Sequence, residues 1–286
     1  MAALIDLIKV LRDRTGAGLM DCKGALLAND CDLDKAADWL REKGLAKAAK
    51  KASRIAAEGL AVIHSCDCCG KTIVLEINCE TDFVAKGDAF KEFCEECAKV
   101  ILKGGLTTVE EAKAATEALF ADATVKMGEK FDLRRFEIVE NPVGSYIHNG
   151  GKIAVLVKLD NHDAEVAKQL AMHIAANNPT YILESDIPAD VLAHEKAIQA
   201  EAAKTDEKLA NKPEAVLSKI LDGKVKKYFA DSTLECQPFL MDDSKTVGQF
   251  LKEKGVNIVK FVRYHVGEGI EKRQDDFASE VMSQVK

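Results

Sequence analysis

Apolar residues near the N-terminus recur at intervals of three and four positions, the spacing of amphipathic helices. The spacing predicts a first helix ending at Thr15 to Gly18, a second ending near Asn29, and a third from about Asp34 to Gly44. The apolar positions of this pattern are Leu4, Leu7, Ile8, Leu11, Met20, Leu26, Leu27, Ala36, Ala37 and Leu40. Three short helices joined by tight turns predict a small bundle that is marginally stable alone.

Beyond the bundle, the alanine-rich, basic segment 43–54 predicts a helical linker with a solvated face, or alternatively a nucleic-acid contact. The pattern then changes to the β-rich runs of strands. The predicted elements are strands at 60–64 and 72–77 around a hairpin turn, a helix from 83 to beyond 97, a helix at 109–125 and a strand at 133–139. The helix from 83 carries one predicted buried face, at the positions Phe83, Phe90, Phe93, Cys94 and Cys97. The order strand, turn, strand, helix then recurs over 143–177. The pattern therefore predicts two α+β subdomains of related layout.

A charged stretch, 189–229, interrupts the second subdomain. Its apolar residues fall near heptad spacing, which predicts a helical hairpin with a thin apolar seam. The seam positions are Val191, Ile198, Ala202, Leu209, Leu217, Ile220, Leu221, Val225 and Tyr228. A helix at 246–254, a strand at 258–266 and a final helix from Asp275 complete the prediction.

The net charge of −7 argues against a protein that binds nucleic acid through broad phosphate contacts. No apolar run approaches the roughly 20 residues that span a bilayer, and the first residues lack a basic region before an apolar stretch. The nine cysteines are odd in number, which favours reduced thiols over a disulfide framework. We therefore expect a soluble cytoplasmic protein that contacts no membrane.

Motifs of enzyme chemistry are missing from the sequence. No phosphate-binding Gly-x-x-x-x-Gly-Lys-Ser/Thr, His-Glu-x-x-His or Gly-x-Ser-x-Gly occurs. Cys66, Cys68 and Cys69 crowd a hairpin tip with Cys79 one strand away, and four thiolates could hold zinc. The Cys-x-Cys-Cys spacing lacks paired knuckles, so free thiols are the favoured interpretation and a metal site the alternative. A thiol redox enzyme is disfavoured because Cys94 and Cys97 lie well inside a helix.

Two motifs are atypical of a core. Segment 15–21 places two glycines and two large apolar side chains at a helix start, where some of those side chains can face outward. Segment 76–84 is the place where a strand gives way to a helix, and Thr81 or Asp82 suits its N-cap. From the residue types alone, Asp82 is a cap and Phe83 a core residue.

Both segments resemble the signature segments of the elongation factor Ts family, exchange factors for the translational GTPase elongation factor Tu. The first is Leu11-Arg12-x-x-Thr15-Gly16-Ala17-Gly18-x-Met20-Asp21-Cys22-Lys23 and the second Glu76-Ile77-Asn78-Cys79-Glu80-Thr81-Asp82-Phe83-Val84-Ala85. The resemblance continues through segments 39–44, 144–148, 237–239 and 261–272 and covers essentially the whole chain in order. Leu19 stands where the family often has methionine, and the cysteine tip departs from the family's usual polar turn.

The resemblance implies an α+β fold with a ubiquitin-associated-like three-helix domain, two core subdomains with small antiparallel sheets, a helical-hairpin insertion and a C-terminal helix. We place the three-helix domain and basic linker at 1–54, the first core subdomain at 55–140, and the second at 141–286 with its hairpin at about 189–229.

The resemblance also implies a protein without catalytic chemistry, cofactor or metal that binds elongation factor Tu with GDP and promotes GDP release. A 2:2 complex with that partner stays open, and direct binding of nucleic acid is not expected. The residues implied to contact the partner are Arg12, Leu19, Met20, Thr81, Asp82, Phe83, Val84, Met127, Gly128 and His148. The rival hypotheses are a zinc-stabilised RNA-binding or ribosome-binding module and a thiol oxidoreductase. Neither accounts for the two signatures.

Overall fold

The computed structural model describes residues 2–205 and 213–271 and confirms the predicted α+β class. Three helices open the chain: α1 (Ala2–Thr15), α2 (Leu19–Ala28) and α3 (Leu33–Lys51). Their shared core contains Leu11, Leu26 and Ala36, as the helical spacing predicts. The Asp32 carboxylate caps α3 by accepting hydrogen bonds from the next backbone N–H groups, which fixes where that helix begins.

The first three-stranded sheet has the order β1–β2–β3 with antiparallel neighbours. Its elements follow the bundle in the order β1 (Glu58–Cys66), β2 (Lys71–Cys79), α4 (Asp82–Lys86), α5 (Asp88–Gly104), α6 (Val109–Met127) and β3 (Asp132–Glu140). Phe90, Phe93, Cys94 and Cys97 of α5 are buried against this sheet, which confirms the predicted apolar face. Phe83, which the same spacing assigned to that face, is 85% exposed, so that part of the prediction was wrong.

Helix α3 does not end at Gly44 as predicted but continues to Lys51. Gly44 is buried where α3 crosses α6. A Cβ atom at this position would lie 2.7 Å from Val125 Cγ2 and 2.8 Å from the Ala121 carbonyl oxygen. The glycine therefore allows two helices to approach each other closely. From the sequence alone, a glycine with this packing role cannot be distinguished from one that ends a helix.

We predict that Gly44→Ala destabilises the protein by about 1–3 kcal/mol, the usual cost of overpacking. The better helix propensity of alanine, about 1 kcal/mol, offsets only part of this cost because the neighbouring Ala121 carbonyl belongs to the backbone. Gly24→Ala in α2 is the matched control, since its Cβ would meet nothing within 4 Å. Urea unfolding should show a loss for Gly44→Ala and a small gain for Gly24→Ala; equal effects would contradict the packing argument.

The second sheet has the order β4–β5–β8 and a two-stranded ribbon pairs β6 with β7. The elements are β4 (Gly144–His148), β5 (Ile153–Leu159), α7 (Ala164–Asn177), α8 (Ala189–Thr205), α9 (Glu214–Ala230), β6 (Pro238–Phe239), β7 (Asp242–Thr246), α10 (Val247–Lys254) and β8 (Ile258–His265). His173 of α7 is buried, and its ring forms a hydrogen bond with the Gln237 side chain at 2.8 Å, so it is a core residue with its polar group satisfied.

Helices α8 and α9 pack on each other as the predicted hairpin, but the heptad register was partly wrong. Ile198, Ala202 and Tyr228 are exposed. The predicted seam residues Leu221 and Val225 are buried, which confirms that part of the register. Leu221 packs with Ala203 and, nearer the base, Val225 packs with Phe229, two partners that the heptad pattern did not include. Leu209 and the helix predicted from Asp275 lie outside the described residues. Within the described ranges, every helix is too short or too polar to cross a bilayer.

Candidate functional site

The turn from β2 into α4 presents Phe83 to solvent. Thr81 is the N-cap, and its Oγ1 accepts a hydrogen bond from the Val84 N–H at 3.3 Å. Val84 is half buried against the core and Ala85 is buried, so the short helix is anchored from below. Phe83 is 85% exposed, the highest exposure of any large apolar side chain in the described parts of the chain. This turn therefore holds an aromatic ring outward on a fixed backbone.

Glu129 ties this turn to the loop after α6. One carboxylate oxygen of Glu129 accepts hydrogen bonds from the backbone N–H groups of Glu80 at 3.0 Å and Thr81 at 3.1 Å. The other oxygen accepts from Thr81 Oγ1 at 2.6 Å. In return, the Glu80 carboxylate accepts from the Lys130 N–H at 2.7 Å. Two loops from different elements thus bind each other reciprocally and fix the position of Phe83.

The basic linker supports the same loops from the other side. Lys130 Nζ donates to the carbonyls of Ala52 and Arg54, both at 2.7 Å, and Arg54 pairs with Glu80 at 3.3 Å. Lys51 Nζ donates to the carbonyl of Gly128. The predicted linker with a solvated face therefore also makes tertiary contacts: Lys51 and Arg54 bind backbone and carboxylate oxygens of this region.

Met127 and Gly128 form the end of α6. Gly128 is exposed and has φ of +74°, a left-handed conformation in which a side chain is disfavoured. Met127 is half buried and packs against the first core. Because Glu129 follows immediately, this glycine determines the direction in which the Glu129 side chain leaves the helix.

Asp82 is ionised and neutralised within its own helix. Its carboxylate lies 2.6 Å from Lys86 Nζ, one helical turn away. The hydrogen bond from Lys86 holds the pKa of Asp82 below its usual value, assisted by the charges of Lys86 and Lys152. Both side chains of the pair are solvent-accessible, so the pair contributes little stability. Asp82 can therefore exchange Lys86 for another cation at small cost.

The three-helix domain exposes a second apolar pair. Leu19 and Met20, at the start of α2, are 53% and 71% exposed, whereas Cys22 and Leu26 of the same helix are buried. This confirms that some side chains of the first signature face outward. Arg12 is also exposed, on α1. Asp21, next to Met20, pairs with Lys47 at 3.1 Å and so ties the start of α2 to α3.

His148 is exposed at the end of β4, followed by a single 3₁₀ turn at Asn149–Gly151. Gly151 packs against Leu60 of β1. A Cβ atom added at Gly151 would lie 2.7 Å from Leu60 Cδ2. The contacts described above join the 81–84 turn to the 127–130 loop, whereas Arg12, Leu19 and Met20 lie on the bundle and His148 on this separate turn. Sequence reasoning missed Glu129, since nothing in its spacing marks a carboxylate that caps a distant loop.

We predict that Glu129→Ala loosens the Phe83 turn without unfolding the chain. The substitution leaves two N–H groups and one hydroxyl without their carboxylate, a loss of about 1–3 kcal/mol that solvent partly replaces. Hydrogen exchange over residues 80–87 should accelerate while that of β2 residues 72–77 stays unchanged. Glu129→Gln, which keeps an acceptor, should show a smaller effect, and unaltered exchange in Glu129→Ala would contradict the positioning role.

The chain is similar in sequence to one protein family over most of its length. The family model described as "Elongation factor TS" matches residues 80–268, a range that begins at the Phe83 turn. The curated protein "Elongation factor Ts" of Lactiplantibacillus plantarum is 44% identical over 292 aligned positions, which cover 98% of this chain and 97% of that relative. A match of this extent, over the bundle and both sheets, identifies the chain as a member of the elongation factor Ts family.

Proposed function

We propose that this chain is a guanine-nucleotide exchange factor that binds elongation factor Tu with GDP and promotes GDP release, so that GTP can rebind. The observation that carries the proposal is Phe83, an aromatic side chain 85% exposed on a turn that Glu129 and Thr81 hold in place. Burying such a side chain gains about 1.5–3 kcal/mol. In the free chain the ring is exposed, so this burial free energy is released only when a partner covers Phe83.

The physical requirement for exchange is a coupling between two bound species. GDP is held in a translational GTPase by a backbone phosphate cradle and a Mg²⁺ ion. By linkage, an exchange factor that binds the empty GTPase more tightly than the loaded one lowers the affinity for GDP by the same ratio. Each 1.4 kcal/mol of coupling free energy corresponds to about a tenfold change in affinity. Phe83 would enter as an apolar wedge between elements of the partner near the Mg²⁺ site. Asp82, released from Lys86, would disturb the ion and water network there.

The remaining contacts extend this surface. Thr81 and Val84 hold the wedge in place. Arg12, Leu19 and Met20 form the contact of the three-helix domain, to which Leu19 and Met20 contribute exposed apolar side chains. Gly128 offers its exposed backbone, with Met127 fixing the helix end beneath it, and His148 offers an exposed ring at the end of β4.

The proposed domains are 1–54, 55–140 and 141–286, the last with its hairpin at about 189–229. The first domain and first subdomain contact the nucleotide-binding domain of elongation factor Tu, and the second subdomain contacts the partner's third domain. The protein acts in the cytoplasm, without cofactor, catalytic chemistry or direct contact with nucleic acid. Whether one or two copies of each protein assemble is decided by the mass of the complex in solution.

The experiment that tests the proposal follows release of a fluorescent GDP analogue from the cognate elongation factor Tu, with and without catalytic amounts of this protein. We expect strong acceleration that saturates with its concentration. A GTPase from an unrelated pathway serves as the control and should show none. Absence of acceleration with the cognate partner would overturn the proposed function.

A further inference from the structure

The tip of the β1–β2 hairpin gathers three cysteine sulfurs at one point. Cys66 ends β1, and Cys68 and Cys69 lie in the turn that leads to Lys71. The three Sγ atoms lie within 4.8 Å of one another, and those of Cys66 and Cys68 are 2.7 Å apart. Cys66 is half buried and the other two are exposed. None of these residues belongs to the surface proposed to bind the partner.

The fourth thiol suggested by the sequence does not belong to this cluster. Cys79 pairs with Glu58 at one end of the hairpin, whereas Cys66 pairs with Lys71 at the other. Eight residues of strand separate Lys71 from Cys79, about 26 Å at 3.3 Å per residue. The four-cysteine zinc site is therefore ruled out. Among the residues that the structure describes, the cluster at the tip consists of three thiols with no histidine or carboxylate ligand.

The turn is held from its base, so the sulfurs are gathered by a fixed backbone. Ser65 and Thr72 hydroxyls bond across the hairpin at 2.9 Å, and Thr72 Oγ1 donates to Asn141 Oδ1 at 2.7 Å. The Asn141 N–H in turn donates to the Gly70 carbonyl at 2.8 Å. Part of the entropy cost of assembling three ligands is therefore met by the fold of the hairpin.

Hydrogen bonds link the three residues of the tip to one another. The Cys66 and Cys68 Sγ atoms share a hydrogen bond at 2.7 Å, and the Cys69 thiol donates to the Cys66 carbonyl at 3.7 Å. A thiolate is the form that binds metal. Each thiol of the cluster therefore releases its proton as it binds a cation.

We propose that Cys66, Cys68 and Cys69 form a binding site for a single soft, thiophilic cation, Cu(I), coordinated by three sulfurs. A metal–sulfur bond of about 2.3 Å places sulfurs about 4.0 Å apart in a trigonal plane, and the three Sγ atoms already lie within 4.8 Å of one another. Thiolates select Cu(I) and zinc among biological cations, and structural zinc is almost always four-coordinate. Three sulfurs without a fourth protein ligand fit the monovalent ion.

The other thiols of the chain do not compete with this site. Cys22, Cys79, Cys94 and Cys97 are buried, and burial raises the pKa of each. Cys236 is half buried, and burial raises its pKa as well. Cys31 is exposed but lies on the three-helix domain, between α2 and α3. Cys31→Ser is therefore the matched control for loss of an exposed thiol elsewhere.

The test titrates the reduced, full-length protein anaerobically with Cu(I) held by the chromogenic chelator bicinchoninate. The wild type and Cys31→Ser should each withdraw one equivalent from the chelator, and Cys66→Ser/Cys68→Ser/Cys69→Ser should withdraw none. Cys68→Ser alone should lower the affinity for Cu(I) by more than about 10- to 100-fold. That range is typical for loss of a residue that only hydrogen-bonds a metal ligand, whereas Cys68 would bind the ion directly. Equal thermal unfolding of all variants by circular dichroism shows that the fold is intact.

A second readout locates the ion. Trypsin releases residues 55–71, which contain these three cysteines and no others, and residues 24–35, which contain Cys31. Cu(I) should protect the first peptide from alkylation and leave the second reactive. Cu(I) binding that persists in the triple variant, protection of neither peptide, or stoichiometric binding of zinc but not Cu(I) would each overturn the proposal.

Discussion

Phe83→Ala is expected to abolish most of the acceleration of GDP release while leaving the free protein as stable as the wild type. Phe83 is 85% exposed, so its removal takes almost no buried area from the fold. On contact with the partner, the same side chain gains about 1.5–3 kcal/mol, and its loss should reduce exchange efficiency about 10- to 150-fold. Release of a fluorescent GDP analogue measured by stopped flow gives this ratio directly.

Two control variants separate the wedge from a general loss of apolar surface. Phe83→Leu keeps a large apolar side chain on the same turn and should retain an intermediate rate. Tyr228→Ala removes an aromatic side chain that is 59% exposed on α9 and is not among the proposed contact residues, so it should leave exchange unchanged. If Phe83→Ala keeps the full rate, the wedge is wrong and the contact residues to test next are Arg12, Met20 and His148.

Part of the core of the first subdomain could be predicted because its apolar repeat lies within a single helix, α5. In α5, Phe90, Phe93, Cys94 and Cys97 repeat at helical spacing and all lie on the buried face. Phe83 continues the same spacing but belongs to α4, which a glycine separates from α5. A periodicity that crosses an element boundary therefore assigned an exposed residue to the core. The family signature pointed to its exposure where residue type alone favoured burial.

Features that depend on tertiary neighbours were not predictable. Gly44 is typical of a helix end, yet its role comes from the backbone of α6, far away in sequence. The seam of the α8–α9 hairpin was predicted only in part, with Leu221 and Val225 buried but Ile198 and Tyr228 exposed, because a thin apolar pattern is consistent with more than one register. Glu129 caps a loop 48 positions earlier in the chain, and no local pattern encodes such a contact.

The second signature contains a structural carboxylate as well as functional residues. Glu76 of β2 is fully buried and accepts hydrogen bonds from Arg134 Nη1 at 3.0 Å and Arg135 Nε at 2.7 Å. It also accepts from the Gly267 N–H at 2.8 Å and Asn78 Nδ2 at 3.1 Å. Burial alone would raise the pKa of Glu76, but these donors and the charge of Arg135 outweigh it and hold the pKa below its usual value.

Glu76→Ala is expected to destabilise the protein by about 3–5 kcal/mol, since it leaves two arginines and a buried N–H without their acceptor. The arginines are 25% and 29% exposed, so water relieves part of this cost and the lower end of the range is expected. Glu96→Ala is the control: its pair with Lys99 is solvent-accessible, so its removal should change the free energy of unfolding little. Urea unfolding at pH 7 compares the two, and a loss for Glu76→Ala as small as that for Glu96→Ala would contradict the network.

The pH dependence of unfolding gives the sign of the contribution that the Glu76 charge makes to stability. Because the folded pKa of Glu76 lies below its unfolded value, its ionised form stabilises the protein fully above the ordinary glutamate pKa, near 4.3. That contribution is lost as the pH falls through the lower, folded pKa. The difference in unfolding free energy between the wild type and Glu76→Gln, which retains shape but not charge, should therefore be constant from pH 6 to 8 and shrink below about pH 4. A difference that grows on acidification would mean that Glu76 is protonated in the folded protein, and that burial outweighs the charges of Arg134 and Arg135.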